Sequence, residues 1–109
     1  MAYDETLANR IRDAVEHRDG VTERKMFGGL AFMLDGHMFC GVVGDELMLR
    51  LGREQAEAAL GRPHVRPMDF TGKPMAGMVF VASEGLRGAA LRRWLDRAAA
   101  FVGTLPPKR

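Results

Sequence analysis

The side chains best able to do chemistry gather in one run, RKMFGGLAFMLDGHMFCGVV, Arg24 to Val43, which holds His37 and the single cysteine, Cys40. A cysteine attacks as its thiolate, which needs an accessible, electropositive setting. The neighbours Met38, Phe39 and Val42 supply no positive charge, and cysteine among apolar residues behaves as a small hydrophobe. Metal ligation would need His37 and Cys40 on one side, yet a spacing of three on a strand sends them to opposite faces. His64 and Asp69 are the only other obvious donors, and His17 closes a helix where a solvated imidazole is ordinary. Gly28-Gly29 before a strand is not a phosphate loop, which needs a longer glycine loop with Lys-Ser/Thr and a helix after it. No GxSxG elbow occurs, and Glu54 and Glu57 read as solubilising charges on one side of a helix. The expectation is a protein that is not an enzyme, with no catalytic residues, no metal and no cofactor.

Binding is a different matter. The segment RPHVRPMDFTGKPMAG, Arg62 to Gly77, sets Arg66, Asp69, Phe70 and Lys73 on a frame stiffened by three prolines. Loops held by a scaffold commonly carry recognition, so these four residues are a candidate binding surface. An ion pair between Arg66 and Asp69 that fastens the loop is the plainer alternative. A second candidate is a basic helix face, Arg87, Arg92, Arg93 and Arg97, interrupted by Asp96.

The elements that must position these groups follow from periodicity. Leu7, Ile11, Ala14 and Val15 recur at helical spacing, with Asp4 and Glu5 at the positive end of the helix dipole and Asp19-Gly20 at its close. Leu30 to Leu34, Met38 to Val43 and Leu47 to Leu51 read as three strands of an antiparallel meander, with Asp35-Gly36 as a hairpin turn. Alternation sends Phe32 and Leu34 to one face and Ala31 and Met33 to the other. Arg53 to Leu60 forms a short helix closed by Gly61, and Arg62 to Gly77 is irregular. Met78 to Ala82 is a fourth strand. Ser83 caps a last helix whose apolar stripe runs from Leu86 through Trp94 to Leu105, stopped by Pro106-Pro107. The order is α-β-β-β-α-β-α, an α+β domain built on an antiparallel sheet of four main strands, a meander plus one.

The chain has 109 residues, enough for one core, and is 47% hydrophobic. Its net charge of +2 hides a split, because residues 1–49 sum to −4 and residues 50–109 to +6. Such a split can mark a surface for an acidic partner, although the basic residues are spread out. No apolar run approaches a membrane span. The start is acidic and polar, unlike a secretory signal, and a lone cysteine forms no internal disulfide. The expected setting is cytoplasmic.

The stretches KMFGGLAFMLDGHMFCGVVGDELMLRLG, RPHVRPMDFTGKPMAGMVFV and LRRWLDRAAAFVGTLPPK together resemble the N-terminal domain of the TfoX (Sxy) competence regulators. The likeness runs from about Leu7 to Lys108. It implies an α+β domain, here a single one over residues 1–109 without the helical second domain that follows it in the best-known members. It also implies a bacterial-type, transcriptional-regulator-like role in DNA-uptake competence, and it brings no agreed catalytic residues. The leading expectation is a non-enzymatic regulatory or protein-interaction module with a protein partner. Direct nucleic-acid binding is the alternative, expected to be weak or indirect, and a small-molecule-binding domain or uncharacterised enzyme is the third. Strands apolar on both faces, with few helices to cover them, also suggest a homodimer.

Overall fold

The computed structural model describes residues 3–26, 28–69 and 74–106. Helix α1, Glu5–Val15, is followed by four strands: β1, Val21–Met26; β2, Gly29–Leu34; β3, His37–Val43; and β4, Glu46–Arg50. Helix α2, Arg53–Ala59, leads to β5, Val65–Asp69, and β6, Pro74–Val81. A single 3-10 turn, Ser83–Leu86, precedes α3, Ala90–Val102. All six strands form one antiparallel sheet in the order β1-β2-β3-β4-β6-β5. The α+β class and the meander stand as expected; the number of strands is corrected from four to six.

The two unexpected strands are the two edges, and both have a physical reason for escaping periodicity. VTERKM of β1 is exposed over its four central residues, so no buried face imposes an alternation of two. Its charges also blunt an edge that would otherwise invite pairing. β5 contains Pro67, which an edge strand tolerates because one side of its backbone has no ladder partner. Arg62 to Gly77, expected to be irregular, therefore holds β5 and the first half of β6.

The turns follow local chemistry. Asp35 and Gly36 both take positive φ, 52° and 88°, as the two-residue hairpin between β2 and β3 requires. Asp4 caps α1 by accepting hydrogen bonds from the backbone N–H groups of Thr6 at 2.8 Å and Leu7 at 3.2 Å. The last helix is shorter than expected. Ser83 opens the 3-10 turn rather than the helix, Gly88 with φ 58° intervenes, and α3 begins at Ala90 without a side-chain cap.

All three helices pack on one face of the sheet. The main core joins Leu7, Ile11 and Val15 of α1, Ala56 and Ala59 of α2, and Leu91, Trp94, Leu95 and Ala98 of α3 to Leu30, Phe32, Leu34, Cys40, Leu47, Leu49, Val79 and Val81. Arg12 of α1 and Glu23 of β1 clasp at 2.8 Å through two guanidinium nitrogens and both carboxylate oxygens, and this bond holds the Glu23 carboxyl below the usual range. The opposite face carries a second, smaller cluster of Ala31, Met48, Met68, Met78 and Phe80, to which no helix contributes among the described residues. Met26, Met33, Met38 and Val43 pack around it half-buried.

β3 departs from strict alternation. Phe32 pairs with Cys40 and Met33 with Met38, leaving Phe39 as the extra residue of a bulge. Phe39 and Cys40 therefore both enter the main core, while Met38 stays on the other face.

Candidate functional site

The two candidate surfaces rearrange once folded. Arg66 lies on β5 opposite Phe80 of β6, and its guanidinium carbon stands 4.5 Å from the Phe80 ring centroid. Its Nε and Nη2 donate to the two carboxylate oxygens of Glu46, a forked pair bridging β5 and β4. Arg66 thus pairs with Glu46, whose strand lies beyond β6 in the sheet, while the ion pair expected between Arg66 and Asp69 involves a side chain outside the described ones. Phe70 and Lys73 lie outside the described residues, as does the side chain of Asp69.

The basic helix divides. Arg87 is exposed ahead of α3. Arg92 turns toward α1, lining a pocket with Arg10 and Asp13. Asp96 pairs with Arg18 at 3.0 Å, which fastens α3 to the end of α1. Arg93 and Arg97 go to a different cavity, so the four arginines do not make one face.

That cavity, of about 190 Å³, is lined by Arg62, Pro63, His64, Gly85, Ala90, Arg93, Trp94 and Arg97. Ala90, Arg93, Trp94 and Arg97 sit at intervals of three or four along α3 and share one helical side. The facing wall is the link between α2 and β5. Its shape is set by His64, which takes φ 68° and accepts a hydrogen bond from the Ala82 N–H at 2.8 Å. Gly85 leaves room for it, since a Cβ there would stand 3.1 Å from the His64 Cβ. Trp94 is largely buried, and two cations lie over its ring, Arg62 at 5.0 Å and Arg97 at 5.2 Å from the centroid. Such contacts are attractive through the ring quadrupole.

Sequence periodicity assigned Trp94 to the apolar stripe and Arg93 and Arg97 to the opposite side. The signal available was their adjacency, which puts the indole at the border between stripe and basic face. Nothing in the sequence brought Arg62 to them.

The residues with catalytic types are placed elsewhere. Cys40 is fully buried, and burial pushes its thiol well above the ordinary range. His37 Nε2 donates to the carbonyl oxygen of Pro106 at 2.7 Å, tying the chain after α3 to the start of β3. Glu54, Glu57 and His17 are exposed. Among the described residues no three His, Cys, Asp or Glu side chains come together as a metal site, and no helix is long and apolar enough to cross a membrane.

The family model of the TfoX N-terminal domain matches residues 13–102. That span runs from the last turn of α1 to the last residue of α3, so it takes in the whole sheet. No curated protein and no solved structure matches the chain.

Proposed function

The chain belongs to the TfoX N-terminal domain family, and from that membership we propose that it is a non-enzymatic regulatory module, of the competence-regulator kind, which acts by binding a protein partner. The observation that carries this reading is the helix-free face of the sheet. Six methionines, Met26, Met33, Met38, Met48, Met68 and Met78, lie in or around its cluster. Met26, Met33 and Met38 are half-buried and reach solvent beside the charged edge strand β1. Methionine is unbranched and polarisable, so such a surface adapts to the shape of what it meets.

The same surface, presented twice, gives the isologous contact of a homodimer. A competing role in direct nucleic-acid binding finds less support, since its arginines diverge into separate clusters rather than following a phosphate path. The cytoplasmic setting and the protein partner are parts of the same proposal.

The experiment is affinity capture from the native cell extract with wild-type domain, Met33→Asp and Met38→Asp, and Arg87→Ala as a distant control. A protein retained by wild type and Arg87→Ala but lost from both aspartate variants is the expected result. Equal retention by all four places the contact elsewhere and overturns the reading.

A further inference from the structure

The cavity beside Trp94 concentrates charge that the described residues do not neutralise. Arg12, Arg18 and Arg66 each pair with a carboxylate. Arg62, Arg93 and Arg97 line one cavity, and none of them has a carboxylate within ion-pair distance among the described residues. Guanidinium groups keep their charge at any physiological pH, so three around one small volume repel one another. The Trp94 ring offsets part of that repulsion for Arg62 and Arg97. Each guanidinium carries five N–H donors, so a contact with one ring leaves others able to donate to a ligand.

We propose that this cavity binds the phosphate group of a small phosphate monoester. A phosphate dianion offers the oxygen array that planar guanidinium forks grip in pairs, and it matches more of the three charges than a single carboxylate does. His64 lines the same wall. The volume of about 190 Å³ is below the roughly 300–1,000 Å³ of pockets that swallow a drug-sized ligand. It suits a phosphate head with the organic part directed outward. The three cations line one small cavity, whereas a polynucleotide needs them strung along its repeating phosphates. This site is separate from the methionine surface and stands independently of the partner proposed there.

Trp94 is the chain's one tryptophan, so its fluorescence and its single indole N–H resonance both report on the cavity. The test titrates the domain with inorganic phosphate and with ribose 5-phosphate at constant ionic strength, using chloride as the matched control. A saturable change with ribose 5-phosphate, giving a Kd on the order of 1 mM or tighter, is the expected result, with inorganic phosphate as competitor. Losing one charge-assisted contact weakens binding about tenfold or more, so Arg93→Gln, which leaves the two cations over Trp94 in place, should show that loss. Arg97→Ala should show it too, and Arg87→Ala should bind as wild type; all three are checked for native melting curves. No saturable change with either phosphate compound, the same change with chloride, or undiminished binding by folded Arg93→Gln would overturn the proposal. A 5′-phosphorylated oligonucleotide that binds while ribose 5-phosphate does not would overturn it in favour of a nucleic-acid end.

Discussion

Met48 lies where a side chain on Gly41 would have to be. The two residues are partners across β3 and β4, and a Cβ on Gly41 would stand 2.6 Å from the Met48 Cε and 2.6 Å from the Leu30 carbonyl oxygen. One of those obstacles is a flexible side-chain end, but the other is backbone inside the sheet. The absence of a side chain at Gly41 lets Met48 lie flat on the helix-free face, where it is almost fully buried without a helix above it.

Gly41→Ala is therefore expected to destabilise the domain by about 1–3 kcal/mol, the usual range for overpacking. Gly44→Ala makes the comparison, because a Cβ there meets nothing within 4 Å and the change carries only the strain of φ 59°. Urea denaturation of both variants should show the larger loss at Gly41. A smaller loss at Gly41 than at Gly44 would contradict the packing described for Met48.

Phe32 is completely buried beneath the helices. Phe32→Ala should cost about 3–5 kcal/mol, a large share of the ~5–15 kcal/mol that holds a typical domain. The neighbouring Thr22 is exposed on the edge strand, so Thr22→Ala should fall within ~0.5 kcal/mol of wild type. Thermal melting separates the two, and a wild-type melting curve for Phe32→Ala would show the register of β2 to be wrong.

Cys40 gives a pH signature with a definite sign. Burial raises its folded pKa, so the folded thiol keeps its proton where the unfolded chain releases it. The stabilisation from this group is complete below the unfolded thiol pKa of about 8.5 and declines as pH rises above it. Relative to Cys40→Ala, wild type should lose up to about 1.4 kcal/mol per pH unit above that point. Parallel stability curves for the two proteins between neutral and alkaline pH would refute it, as would labelling of native Cys40 as fast as a free thiol.

Much of the interior was legible in the sequence, and what escaped did so for local reasons. Phe32 and Leu34 against Ala31 and Met33 follow the alternation of a strand buried on both sides. The Asp35-Gly36 turn announces itself by its residue types. The entry of Phe39 into the main core could not be read in the sequence, because a bulge inserts one residue without leaving a compositional trace. Both edge strands lacked a buried face or contained proline. The site was harder still. Arg66 is coupled to Glu46 from another strand, and Arg62 reaches Trp94 from another element, and such pairings depend on topology rather than spacing.

The proposed homodimer would use the same surface. Sedimentation at high micromolar concentration should show a dimer for wild type and a shift toward monomer for Met33→Asp. A wild-type monomer under those conditions removes the homodimer from the account without touching the fold.

Duplex DNA and RNA should bind weakly, with Kd on the order of 10⁻⁵ M or weaker at physiological salt and without sequence preference. Fluorescence anisotropy measures this directly. Sub-micromolar, sequence-selective binding would promote the nucleic-acid reading over the protein-interaction one.

The methionine methyl groups offer the most direct measurement of the proposed partner surface. With the methionines labelled at the methyl carbon, the protein captured from extract is titrated into the domain, and each methyl resonance reports its own position. The predicted result is that Met26, Met33 and Met38, half-buried on the helix-free face, shift or broaden first and furthest, while the Trp94 indole signal stays still. A titration in which those three methyls remain unmoved while resonances on the helix side respond would contradict the account.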